Sequence, residues 1–126
     1  LRNCILWGNT RIETGAPVAD QIYSPGYEAK ITYSDVEGGW PGTGNINLNP
    51  LFTNPTSSDY RLQSTSPCKN TGENAALPPD VGDLDWNANT VEPIPYDLWL
   101  GTRNVDISVD MGAYEVPPPS GPIGDE

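Results

Sequence analysis

The sequence predicts an all-β chain wound as a solenoid of short strands, and three observations predict it. Helix signals are almost missing, because no stretch of about ten residues keeps i, i+3, i+4, i+7 apolar spacing without meeting Gly or Pro. Short apolar runs recur instead, each closed by Asn, Gly, Asp or Pro. The composition is turn-rich: 13 Gly and 14 Pro fall within 126 residues, and four Trp and six Tyr supply apolar area that the sparse aliphatic residues do not.

The runs justify the elements in order. Cys4-Ile5-Leu6-Trp7 is closed by Gly8-Asn9, and Gln21-Ile22-Tyr23 by Ser24-Pro25-Gly26. Ala29 to Ser34 leads into Asp35-Val36-Glu37 and a Gly38-Gly39 turn. Asn45-Ile46-Asn47-Leu48 is closed by Asn49-Pro50, and Tyr60-Arg61-Leu62 follows. Ile31/Tyr33 and Ile46/Leu48 alternate, as do Val105/Ile107/Val109/Met111/Ala113, so one face of each strand is expected to be buried. Runs this short suit a β-solenoid, in which each coil adds one strand to each of several parallel sheets. Parallel pairing is expected near residues 5, 22, 31, 46 and 61. Asn9, Asn45, Asn47 and Asn49 fit coil corners or stacked ladders, although Asn is also a common loop residue.

Three regions result. Residues 1–72 are read as coils, 73–116 as a loop-rich cap ending in a strand near 107–115, and 117–126 as a stiff Pro-rich linker or tail.

Charge divides the chain. Residues 1–72 carry six acids and five bases, net −1, whereas 73–126 carry eleven acids and one base, Arg103, net −10. A total of −11 argues against a nucleic-acid partner. There is no His, which excludes Ser-His-Asp and Cys-His catalysis and imidazole metal sites. Two Cys cannot build a four-thiolate cage, and no apolar run reaches the length of a membrane helix.

The blocks also occur in a telling order. Asn3 to Asn9 is followed by Ile31-Thr32-Tyr33-Ser34-Asp35-Val36, then Gly44-Asn45-Ile46-Asn47 with Asn49-Pro50-Leu51-Phe52. Asp59-Tyr60-Arg61-Leu62, Ser66-Pro67-Cys68, Asn70-Thr71-Gly72 and Val109-Asp110-Met111-Gly112-Ala113-Tyr114-Glu115 complete the series. This arrangement resembles the C-terminal end of secreted bacterial right-handed parallel β-helix proteins of the pectate-lyase-like superfamily. The resemblance implies a right-handed parallel β-helix with a loop-rich C-terminal cap. It also implies an extracellular or bacterial cell-surface location and coils preceding residue 1. Two segments depart from it. Trp86 in Asp83-Leu84-Asp85-Trp86 stands where such proteins often carry Gly, and Asp97-Leu98-Trp99-Leu100-Gly101 replaces a second segment of that type.

Each candidate site has a plainer counterpart. Asp83, Asp85, Asn87 and Asn89 alternate and Glu92 follows, an oxygen-rich spacing suited to Ca²⁺; Ala88 and Ile94 break the EF-hand pattern, and a metal-free Asx-rich turn stays open. Cys4 and Cys68, an even count in a secreted chain, suggest a disulfide worth roughly 4 kcal/mol; two buried thiols are the alternative. Trp40, in Gly38-Gly39-Trp40-Pro41-Gly42, is a candidate to stack on a sugar, unless it packs a loop. The acid pairs Asp35/Glu37 and Asp83/Asp85 carry no catalytic motif, and Lys30 and Arg61 are isolated as bases for lyase chemistry.

The expected function is therefore a non-catalytic structural or interaction module of an extracellular β-helix protein. Its expected partners are copies of itself stacked end to end in a filament, or preceding coils of a longer fibre-like or adhesin-like chain. A carbohydrate-binding or polysaccharide-cleaving protein is the alternative. Ca²⁺ is the one cofactor considered. An open first coil containing Ile5 and Trp7 would favour stacking.

Overall fold

The computed structural model describes residues 1–103 and 107–117. Six short strands form: β1 (Ile5–Leu6), β2 (Thr10–Glu13), β3 (Ala16–Ala19), β4 (Asp35–Val36), β5 (Phe52–Asn54) and β6 (Asp59–Leu62). They make three two-stranded sheets, with β1 and β4 parallel and both β2–β3 and β5–β6 antiparallel. The remainder of the described chain is turns, bends and two single 3₁₀ turns at Pro55–Ser57 and Asn74–Ala76.

This corrects the predicted architecture. The sheets neither close nor stack as a solenoid, so the chain is not the right-handed parallel β-helix that the sequence suggested. Among the described residues parallel pairing is confined to Ile5↔Asp35 and Leu6↔Val36, with single bridges at Arg2↔Thr32 and Asp35↔Ile46. Residues 21–23 form no strand, β6 pairs antiparallel with β5, and residues 107–115 carry no strand. Residues 118–126 of the expected tail, and Val105 of the expected final strand, lie outside the described residues.

Local turn chemistry explains the difference. Thr14 (φ 50°) and Gly15 (φ 85°) form consecutive left-handed positions between β2 and β3. Such a turn matches the twist of a two-residue hairpin and pairs neighbouring residues before any distant coil is reached. Pro55 starts the 3₁₀ turn after β5, and Ser58, left-handed at φ 59°, returns the chain into β6. Both hairpins are the cheaper entropic choice over a long crossover.

The asparagines do not stack into ladders either. Asn45 accepts from Ser34 N and donates to the Ile31 and Trp40 carbonyls. Asn47 accepts from Gly38 N, and Asn49 from Leu51 N. Each amide serves backbone groups that sheet pairing would otherwise serve.

The core is small. Leu62, Cys68, Met111 and Val116 form the buried cluster, with Ile5, Ile46 and Phe52 packed against it. Residues 109–112 supply the closing segment. Gly112 N donates to Asn3 O, Met111 N to Cys68 O, and Gly72 N to Val109 O. The Asn3 side chain is held at both ends by Glu73 N and O. Asn3, in the block expected to be an open edge, is thus buried by its own chain, while Cys4–Trp7 stay half-buried. Trp86, at a position where the resemblance expects Gly, is held left-handed at φ 61° with its indole 90% exposed.

Candidate functional site

The oxygen-rich segment folds back on itself. Pro79 and Pro93 form an antiparallel bridge, Asp80 N donates to Glu92 O at 2.7 Å, and Ile94 N donates to Pro78 O at 2.9 Å. Asp80 and Glu92 are thereby fixed opposite each other. The chain between them then curls through successive Asx turns, with Asn87 N donating to Asp85 Oδ1, Asn89 N to Asn87 Oδ1 and Val91 N to Asn89 Oδ1, while Leu84 N donates to Asp80 Oδ2 at 2.7 Å and Ala88 N to Asp83 Oδ1 at 3.1 Å.

The result is a carboxylate cluster of Asp80, Asp85 and Glu92, whose ligand oxygens lie within 4.8 Å of one another and can hold a metal ion. Asp85 and Glu92 belong to the set singled out from the sequence. Asp83 does not join the cluster; its carboxylate accepts from the Ala88 backbone. Asn87 and Asn89 contribute donors instead of ligand oxygens. Asn87 Nδ2 reaches Asp85 Oδ2 at 3.0 Å and Glu92 Oε1 at 2.7 Å, and Asn89 Nδ2 reaches Glu92 Oε2 at 3.2 Å. Sequence reasoning missed Asp80. It stands outside the alternating pattern, and only the Pro79–Pro93 bridge brings it across from Glu92.

A second feature is an aromatic trough. Three depressions of about 480, 340 and 270 Å³ are linked by shared walls. Trp7, Phe52 and Tyr60 line the first two, and Tyr114 joins the second to the third. Phe52 and Tyr60 meet edge to face at 5.3 Å. In the third depression Asp59 grips Arg61 through two hydrogen bonds of 2.7 and 2.6 Å, and the guanidinium lies 4.0 Å over the exposed Trp99 ring. Trp40 lies elsewhere and is half-buried. Its Nε1 donates to Ala29 O at 2.9 Å, so it fastens the 29–40 loop.

The acid pair of the N-terminal half is divided. Asp35 is fully buried, accepting from Leu48 N at 3.1 Å and from the Cys68 thiol at 3.1 Å. Burial raises its pKa. Glu37 instead accepts from Gly8 N and Gln21 Nε2, both at 2.8 Å. These two acids do not flank a common groove.

The expected disulfide is not formed. Cys4 and Cys68 are both free, and each thiol is engaged elsewhere: Cys4 Sγ donates to Arg2 O at 3.0 Å, and Cys68 Sγ to Asp35. Burial, and then the Asp35 carboxylate, push the Cys68 thiol well above its ordinary pKa. Little thiolate is present, so Cys68 should react slowly with iodoacetamide in the folded protein. Mass analysis is expected to show both thiols alkylated after non-reducing denaturation. Native Cys68 should label at least about tenfold more slowly than Cys4. A single cross-linked species that resists alkylation would overturn this assignment.

A third cluster lies beneath residues 97–116. Glu115 is buried, accepting from Asp110 N and facing Arg103 Nε at 3.5 Å. Asp110 accepts from Asn70 N and Val116 N. Asp97 accepts from the Trp99, Gly101 and Glu115 amides. These carboxylates organise backbone and close the C-terminal segment over the core.

Among the described residues no helix is long and apolar enough to cross a membrane. Compared with known proteins, the chain matches no family model, no curated protein sequence and no solved structure.

Proposed function

We propose that this chain is a non-catalytic, self-associating interaction module of an extracellular, bacterial cell-surface protein, and that Ca²⁺ is the cation suited to its acidic cluster. The observation that carries the interaction reading is the aromatic trough. Trp7, Phe52, Tyr60 and Tyr114 line linked depressions, and Tyr60 remains 49% exposed. Aromatic side chains gathered in a concave surface are the commonest anchors of protein interfaces. Among the described residues the charges lining the trough, Asp59 and Arg61, neutralise each other. An apolar surface from a second copy therefore meets no unpaired charge there, while the acidity of residues 73–126 keeps the remaining surface wet and soluble. The non-catalytic reading is supported by the enclosure of Asp35 away from Glu37.

Light scattering after size exclusion, over a range of protein concentrations, tests the reading. Self-association should strengthen with concentration, and Trp7→Ala should weaken it at least about tenfold, the effect of losing an aromatic hot spot. A monomer throughout the micromolar range would overturn it. A second reading, carbohydrate binding, is favoured by one observation: Trp99 is 61% exposed although Arg61, clamped by Asp59, lies over its ring. In that case calorimetry with neutral oligosaccharides shows binding that Trp99→Ala abolishes.

Ca²⁺ fits better than the competing ions. The cluster offers only oxygen, which disfavours zinc. Ca²⁺ accepts carboxylate oxygens in a flexible geometry, whereas Mg²⁺ demands a near-ideal octahedron, so three carboxylates of one irregular loop suit Ca²⁺ better.

A further inference from the structure

We propose that Asp80 is the buried anchor of a site for one hard divalent cation, with Asp85 and Glu92 as its outer ligands, and that the ion latches the 83–92 loop. The proposal rests on the calcium reading above only for the identity of the ion. The site itself stands on two separate observations.

The first is the orphaned oxygen of Asp80. This residue is only 1% exposed, and its two oxygens are unequal. Oδ2 accepts from Leu84 N, while Oδ1 is buried with no hydrogen-bond partner. A carboxylate oxygen withdrawn from water and given no donor is costly, and native structures seldom keep one without an ion or an ordered water against it. The second observation is convergence. Asp80, Asp85 and Glu92 each bring an oxygen within 4.8 Å of the others, although the three come from separate turns of the loop. Ion pairs within the described chain join Arg2, Arg11, Arg61 and Arg103 to other acids, and none reaches these three carboxylates. Their mutual repulsion is relieved by neutral donors, the side-chain amides of Asn87 and Asn89 and the backbone N–H groups of Leu84 and Asn87.

A divalent cation at the centre answers both observations. It gives Asp80 Oδ1 a partner and replaces carboxylate repulsion with coordination. It also ties the Asp85 and Glu92 side chains to the buried Asp80, which already holds the loop through Leu84 N and the Asp80–Glu92 backbone bond. Asp83 plays a different part. Its Oδ1 holds Ala88 N, a contact that an Asn side chain reproduces. Asp80→Asn likewise keeps an acceptor for Leu84 N, so the two isosteric changes separate coordination from folding.

The test uses Tb³⁺ with the full chain. Trp86 follows Asp85 directly and is exposed, so exciting it should sensitise emission from a lanthanide bound at the cluster. The expected result is saturation near one equivalent, with the emission displaced by Ca²⁺ and largely lost in Trp86→Phe. Asp80→Asn and Glu92→Gln should each raise the half-saturation concentration at least tenfold, with Asp83→Asn changing it less than twofold. If Asp80→Asn and Asp83→Asn weaken binding equally, or neither weakens it, the site is overturned while calcium binding elsewhere stands. If Asp80 dependence holds but Ca²⁺ fails to displace Tb³⁺, the calcium reading is overturned and the site stands.

Discussion

The unfolding free energy should fall as pH rises from about 4.5 to about 7, by about 3 kcal/mol from Glu115 alone. Burial lifts the pKa of this carboxyl from 4.5 to about 7, and the Asp110 and Asp97 carboxylates push the same way. The Asp110 N–H and Arg103 oppose the rise without cancelling it. The folded state therefore holds a proton across this window that the unfolded chain has already released. Stability is full below the unfolded value and is lost as pH climbs through the folded one. Asp35, its pKa also raised by burial, adds a slope of the same sign. Asp59, lowered by its hydrogen bond to Arg61, acts in the opposite sense below the ordinary carboxylate range. Glu115→Gln imitates the protonated form and can still accept from Asp110 N. Urea titrations at pH 4.5 and pH 7.5 should show the wild type losing stability between them and the variant losing much less. An unchanged difference in the variant would assign the slope to other groups.

Gly42→Ala is expected to destabilise the fold by about 3 kcal/mol, lowering the melting temperature on the order of 10 °C. Gly42 sits at φ 155°, and a Cβ built there would lie 2.0 Å from the Ile31 carbonyl oxygen and 2.6 Å from Asn45 Nδ2. Both neighbours are committed: Asn45 Nδ2 donates to that same Ile31 carbonyl, and Asn45 Oδ1 accepts from Ser34 N. The methyl group would thus break the contacts that align residues 31–34 with 45–46, beside the parallel pairing of β4. Gly26→Ala serves as the control. At φ 78° it carries the backbone strain, but a Cβ there meets nothing within 4 Å, so it should cost only about 1 kcal/mol. Equal melting temperatures for the two variants would refute the steric argument.

The amino-acid sequence by itself determined that this chain has little helix, many turns and short extended segments. Those properties follow from Gly, Pro and Asn spacing, which acts through local φ/ψ preference. Asp85 and Glu92 were likewise legible as metal-type ligands, because alternating oxygen side chains in a turn-rich segment are a local pattern. The mode of strand pairing was legible only in part: parallel contacts join the segments near residues 5, 31 and 46, but not those near 22 and 61. Period-2 alternation is the same for a strand in a solenoid coil and in a hairpin, and the turns at Thr14-Gly15 and Pro55–Ser58 settled it in favour of local antiparallel pairs. Tertiary structure alone placed Asp80 opposite Glu92, set the two thiols against other partners, and folded residues 109–112 over Asn3. Apart from the local Cys4–Arg2 contact, the decisive contacts join residues far apart in the chain or across a turn, and their energy depends on burial and geometry that no run of neighbouring side chains encodes.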